Sequence, residues 1–538
     1  MKNWGLICLV FVLFSCSEKT KVDSLVINGN IYTVNQNFEK ATAFAVLNGK
    51  IVDVGTTSEI QQKYAADTVI NAEGKTVLPG FIDAHCHFYG LGLQQQKVDL
   101  TNTKSFAEVV QRIVNFQKEK NTDFITGRGW DQNDWTVKEF PVKDTLDILF
   151  PNTPIVVNRI DGHALLANQT AIDLAKVTVN TPFSGGEILQ KNGKLTGVFI
   201  DNPMQLIENI IPQPSKQIQI EAFKDAEKIC LSYGLTTVDD AGLDKNTIEL
   251  ADSLQQAENL KIRLYAMVSN TPENLNYYLN KGIVKTDRLH VRSIKVYADG
   301  ALGSRGAALK KPYSDMHNHY GALLASPKEY MEVAKKIAAT DYQMNTHAIG
   351  DSANYLILKT YNKVLNGKSN KRWRIEHAQI VDTADFKYFN NILPSIQPTH
   401  ATSDMYWAED RLGSERMKGA YAYKDLLKTY GKVALGTDFP VEKVSPFLTF
   451  YAAVARKDLH NYPENGFQME NALTREETLK GMTIWAAYAN FEENEKGSIE
   501  KGKWADFILL SEDIMEIPVE KIPYLKVEAT YISGEKVY

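Results

Sequence analysis

The sequence predicts an α/β protein: a (β/α)8 TIM barrel, a small β-sandwich formed by both chain ends, and an α/β insertion after barrel strand 1. Three observations predict it. Eight short apolar runs alternate with helical stretches, the pattern of parallel βα units. Both ends of the chain instead alternate apolar and polar positions around turns. The few histidines collect where the apolar runs stop.

The first element is an address. Residues 1–16 read MKNWGLICLVFVLFSC, with Lys2 before an apolar run from Trp4 to Phe14. That run is too short to cross about 30 Å of hydrocarbon but suits the apolar core of a signal peptide. Leu13-Phe14-Ser15-Cys16 resembles a bacterial lipobox, in which the cysteine is lipidated and becomes the mature N-terminus. Residues 1–15 are read as a lipoprotein signal peptide and 16–23 as a tether. The expected location is the bacterial cell envelope, lipid-anchored to a membrane and facing the periplasm or the surface. An ordinary cleaved signal or a buried N-terminal helix is the competing reading.

Residues 24–79 form the N-terminal part of the sandwich, where Asn-Gly at 28–29 and 48–49 marks two hairpins. Residues 491–538 repeat the style and supply the other part, since two β-rich ends that each need an apolar partner can share one sandwich. The barrel spans 80–490, with strands expected in 81–87, 235–242, 262–268, 291–300, 342–351, 372–380, 392–400 and 432–440. A count of eight requires residues about 100–230, which hold further strand-like runs, to be an insertion. Within it Trp130, Asp131 and Trp135 form either a lid wall or plain packing.

Composition excludes more than it assigns. With 44% hydrophobic residues in 538, the chain is a large globular body. Its 60 Lys+Arg against 65 Asp+Glu argue against non-specific nucleic-acid binding, which needs a basic surface. Four Cys make no disulfide scaffold. A homo-oligomer is compatible with all of this.

His85, His87, Lys295, His347, His377 and Asp438 stand at or near the carboxyl ends of the runs. In a parallel barrel those ends face one mouth, so distant positions become neighbours. His85 and His87, two apart on a strand, point to one face and can grip one ion together. Neutral imidazoles suit Zn²⁺ and related metals, and a carboxylate such as Asp438 completes a site with room for water. Cys86, between them, points into the barrel wall. Gly350 and Gly436 fall in tight βα loops, and His290, His317, His319 and His460 read as surface or loop residues.

These motifs resemble the amidohydrolase superfamily, and specifically the metal-dependent hydrolases of the amidohydrolase family 3 type. The matching stretches are PGFIDAHCH (79–87), SIKVYADGALGSRGA (293–307), THAIGD (346–351), RIEHAQ (374–379), GTDFPV (436–441) and GSIEKGKWADFILL (497–510). The resemblance implies that His85, His87 and Asp438 bind one divalent ion, with Zn²⁺ foremost. His347 and His377 bind a second, or contact the same ion or the substrate. Lys295 resembles the lysine that related binuclear enzymes carboxylate with CO₂ to a bridging carbamate; a charged lysine that snorkels to the mouth or binds substrate is the alternative. Asp438 would act as general base and then acid in hydrolysis of an amide, formamide, cyclic amide or amidine-like small molecule. A lactonase, esterase or phosphotriesterase-like activity fits the same machinery, and a binding lipoprotein without turnover is the remaining reading.

Substrate-binding roles are expected of His163 in DGHALLAN, of Asp299, of Arg305 as a carboxylate clamp, and of His400 in QPTHAT. A loop histidine, a loop-holding ion pair for Arg305 and structural use of His400 are the alternatives. The lipobox generates its own test: Cys16→Ser abolishes metabolic labelling by fatty acid, and unchanged labelling would refute the anchor.

Overall fold

The computed structural model describes residues 19–538 other than Asp161, His163, Ser184, Gly185, Asn202 and Ser304, and of Asn133, Asp201 and Ser369 the backbone alone. Cys16, the signal segment and His163 therefore lie outside the described residues.

Eight parallel strands follow one another in sheet order: β1 Phe81–Cys86, β2 Leu235–Leu243, β3 Arg263–Ser269, β4 Leu289–Tyr297, β5 Gln343–Ala348, β6 Arg374–His377, β7 Leu393–Ile396 and β8 Ala434–Leu435. They are the eight apolar runs of the sequence. Helices cover the outer face, so these strands are buried on both sides and need continuous apolar runs rather than alternation; β1 is buried at every position. Because β8 is only two residues long, the chain beyond it completes the ring. Asp438 N donates to His85 O, and His87 N to Phe439 O, both at 2.8 Å. Gly436 permits this approach, since a Cβ there would lie 2.5 Å from His85 N.

The helices that matter for the site are α1 Phe88–Gln95, α2 Lys216–Ser232, α3 Lys245–Gln256, α4 Pro272–Lys281, α5 Pro327–Ala338, α6 Asp351–Leu365 and α7 Pro398–Asp404. The starts of α4 and α5 are written in the sequence. A hydroxyl N-cap, Thr271 or Ser326, accepts a bond from the third helical amide, and proline occupies the first turn. Glu329 returns the bond to Ser326, a capping box.

A second sheet runs in the order Gly186–Lys191, Lys194–Asp201, Ala164–Ala167, Ile155–Arg159, Ile125–Trp130 and Val98–Asp99. Its own core gathers Val109, Ile113, Ile125 and Val157 around Trp130 and Trp135. The aromatic run of the insertion is thus packing and not a lid wall. Phe223, Ala226 and Cys230 of α2 join the barrel core instead, with Phe223 against Phe88 of α1.

The chain ends share a sheet: Phe507–Leu510 pairs antiparallel with Thr76–Pro79, and Val527–Ile532 extends it. A four-stranded sheet of N-terminal strands packs on it, where Phe44 meets Phe507 edge to face with ring centroids 5.1 Å apart. Asn48-Gly49 makes the expected hairpin between Ala43–Leu47 and Lys50–Gly55. Asn28-Gly29 does not. The chain there leaves one sheet for the other, because Thr20–Ile27 pairs with Ala43–Leu47 and Tyr64–Asn71, whereas Asn30–Tyr32 pairs with Lys40–Ala41 and Thr76–Pro79. Val26 and Ile31 flank this corner and both join the core between the sheets. Among the described residues no helix is long and apolar enough to cross a membrane.

Candidate metal centre

The carboxyl ends of the barrel strands surround a cavity of about 350 Å³ lined by His87, Lys295, His347, His377, His400 and Asp438. His85 stands behind these groups, fully buried on β1, and His87 follows at the N-cap of α1. Lys295 comes from β4, His347 from β5, His377 from the end of β6, and His400 from α7. Cys86 points away as its position between two ligands requires, its Sγ 3.5 Å from the Asp239 carbonyl oxygen.

Ring closure sets the spacing. Asp438 Oδ1 lies 3.3 Å from His87 Nε2 and 3.7 Å from His85 Nε2. The ligand atoms of these three residues fall within 4.8 Å of one another, as do those of His377, His400 and Asp438. The His347 ring lies beside that of His377, centroids 4.5 Å apart. The structure therefore brings all six expected ligands together, and adds His400 to them. His377 (φ 73°) and Asp438 (φ 63°) adopt left-handed backbone. Such conformations cost on the order of 1–3 kcal/mol for residues other than glycine and gather at functional sites.

The electrostatics favour ligation. Burial pushes the imidazoles of His85 and His377 well below their ordinary pKa and that of His347 down to about 3, so all three are neutral at pH 7 with a lone pair to offer. Burial alone would raise the Asp438 carboxyl; the hydrogen bond from His400 instead holds it well below the carboxylate range. Burial lowers the Lys295 ammonium to about 8, as its apolar flanks Ile294 and Val296 predict, and its Nζ is 3.0 Å from His85 Nε2. Asp438 Oδ1, His347 Nε2 and His377 Nδ1 are buried without a hydrogen-bond partner among the described residues. Unpaired groups of this kind cost about 1–3 kcal/mol each. Neutral imidazoles and an ionised carboxylate, convergent and otherwise unsatisfied, are the donor set that a divalent cation requires.

Residues around the cluster depart from expectation in instructive ways. Asp299 does not face a substrate: its carboxylate accepts from Ile349 N (3.0 Å), Gly350 N (2.8 Å) and Ala308 N (2.8 Å), which staples two mouth loops together. Gly350 lets them meet, since a Cβ there would lie 2.0 Å from Ala308 O. Arg305 is the loop-holding ion pair rather than a clamp, with both sides of its fork on Asp315 at 3.1 and 2.9 Å. His400 does reach the cavity, its Nε2 3.3 Å from Asp438 Oδ2 and its Nδ1 3.3 Å from Glu442 Oε1. Burial opposes its charge, yet the two carboxylates raise its pKa to about 10. His290 is neither surface nor loop; it is 3% exposed on β4, 3.3 Å from Glu492.

Glu376 is the residue that the sequence pattern does not single out. Its Oε2 is 2.6 Å from His85 Nδ1, so His85 donates there and turns Nε2 toward the cavity. The signal available was a carboxylate beside His377 in RIEHAQ; its partner, 291 positions away, emerges only when the ring closes. Glu376→Gln weakens metal binding by about 10–100-fold, read by titration against a coloured chelator with the fold followed by circular dichroism. Unchanged affinity would contradict this role.

The amidohydrolase family profile matches residues 68–538. The chain is 30% identical over 528 residues to the putative amidohydrolase YtcJ of Bacillus subtilis, covering 95% of this chain and 98% of that one. It is 25% identical over 543 residues to the N-substituted formamide deformylase of Arthrobacter pascens, with 95% and 97% covered. An uncharacterized metal-dependent hydrolase from Pyrococcus furiosus superposes with a TM-score of 0.77 at 27% identity, covering 92% of this chain and all of that one. Barrel, ligand cluster and likeness agree: this chain belongs to the amidohydrolase family and is a metal-dependent hydrolase.

Proposed function

We propose that the enzyme hydrolyses a non-peptide C–N bond of a small molecule, an amide, formamide, cyclic amide or amidine, with Asp438 as the proton carrier. The observation that carries this reading is the placement of Asp438, ionised and central to both trios of ligand atoms. A likeness to an N-substituted formamide deformylase supports the choice of bond.

His85, His87 and Asp438 would hold a first divalent ion, with Zn²⁺ foremost, and His347 and His377 complete the set for the same ion or a second. A cation held there lowers the pKa of water toward ~7 and polarises the substrate carbonyl. The protein does the rest. Asp438 takes a proton from the attacking water and passes it to the leaving nitrogen, so that the amine departs neutral. His400 donates to Asp438 Oδ2 and keeps that carboxylate ionised, while Glu442 fixes the His400 ring from behind. Trp407, Leu302 and Ile349 wall the cavity and restrict water. Lys295, driven toward the free amine by burial, is suited to add CO₂ and release a proton, and the carbamate would be a further anionic ligand. From residues 1–16 we also propose that the mature chain begins at a lipidated Cys16 and works at a bacterial membrane surface.

Protein stripped by a chelator loses turnover and regains it with Zn²⁺. Asp438→Asn lowers kcat by about 10²–10⁴ in samples whose metal content is measured alongside. A panel of simple amides, N-alkylformamides, lactones and phosphotriesters tests the bond: amine release from the first two supports the reading, and exclusive turnover of the others overturns it.

A further inference from the structure

A second cavity, about 850 Å³, lies against the first. It is a groove between α4 and α5, and it shares Lys295 and Tyr297 with the catalytic cavity. Tyr297 ends β4, with its ring centroid 5.4 Å from that of His347 and 4.9 Å from Lys295 Nζ. It is 44% exposed, so its ring stands open to solvent where the two spaces meet.

At the mouth the lining of the groove is mixed, with Ser269, Thr271 and Glu329 beside Pro272 and Tyr330, and beyond it the lining is mainly apolar. Leu275 and Leu279 of α4 face Val333 of α5, and Leu324, 62% exposed, stands at the rim. Asn276 and Glu332 border this stretch, and Asn280 on α4 and Lys336 on α5 stand at the far end. Both helices start at the mouth. From Pro272 to Asn280 the groove therefore follows α4 for about 12 Å, at about 1.5 Å per residue. The catalytic cavity, at about 350 Å³, is near the lower limit of the roughly 300–1,000 Å³ typical of ligand sites. An amide with a small substituent fits within it, and the groove begins at its wall.

We propose that the groove between α4 and α5 is a substrate subsite that takes an apolar arm, alkyl or arylalkyl, attached to the amide in the catalytic cavity. The arm passes over Tyr297 and lies between Leu275, Leu279 and Val333, with an extended chain of about eight carbons running most of the 12 Å along α4. This inference rests on the reading of the catalytic cavity as an amide-hydrolysing site.

The test uses the full metal-loaded enzyme with N-alkylformamides from methyl to octyl and N-methylalkanamides of matching acyl length. In at least one series kcat/KM rises about fourfold per added methylene and levels off near eight carbons. Leu275→Asp and Val333→Asp remove the rise and leave turnover of N-methylformamide within twofold of wild type. Calorimetric binding of N-hexylformamide against N-methylformamide to metal-loaded Asp438→Asn protein gives a readout separate from turnover, with the hexyl compound at least tenfold tighter when the groove is intact and not when Leu275→Asp or Val333→Asp is added. If no amide is hydrolysed but this binding difference holds, the subsite stands and the proposed reaction falls. Hydrolysis with flat series overturns the subsite alone. A rise that survives both variants, or equal or absent binding of the two probes, likewise overturns it.

Discussion

The seam between the first and last barrel segments is the contact on which the site depends. Two backbone hydrogen bonds, Asp438 N to His85 O and His87 N to Phe439 O, join segments some 350 positions apart. They set the Asp438 carboxylate against both imidazoles of the first ligand pair. Asp83 reinforces the seam, accepting from Thr437 N at 3.0 Å and Thr437 Oγ1 at 2.7 Å, and it also accepts from His85 N. Gly436 is what allows the segments to touch. A family of strands with the same residues but an open ring would hold the same histidines and no centre.

Beneath the seam lies a buried layer of charged and polar groups that pair with one another. Arg374 donates to Asp239 at 3.1 Å and to the Ala84 carbonyl at 3.2 Å, and Asn490 donates to Asp239 at 2.6 Å. Arg374 also comes within 3.9 Å of Glu376. Charges this deep persist only when paired. The layer orients Glu376, Glu376 orients His85, and His85 presents Nε2 to the mouth. On the opposite side Glu442 orients His400 and His400 orients Asp438. The reacting groups are thus held from behind on two sides, which leaves their free atoms facing the cavity.

The barrel strands and the gathering of six polar residues at one mouth were legible in the sequence because both depend on local pattern: a continuous apolar run, and a polar residue where the run stops. What was not legible depends on partners far away in the chain. Asn28-Gly29 carries a hairpin signal as strong as that of Asn48-Gly49, but the strand after it pairs with Thr76–Pro79, whose neighbour is the C-terminal strand Phe507–Leu510. Arg305 and Asp299 look free to meet a substrate until Asp315 and three loop amides consume them. His290 sits inside a strand and would have been read as buried had Glu492 been known as its partner. Glu376 was visible as a residue and invisible as an interaction. The residues at the mouth follow from sequence; the groups that aim them follow from closure.

The central claim is that closure of the barrel assembles a divalent-metal centre on His85, His87 and Asp438. Anomalous diffraction from crystals of zinc-loaded protein, recorded on both sides of the zinc absorption edge, tests it most directly. An edge-dependent peak is expected about 2.0–2.2 Å from the two imidazole nitrogens and an Asp438 oxygen. A peak away from these three residues, or none in fully loaded protein, would contradict it.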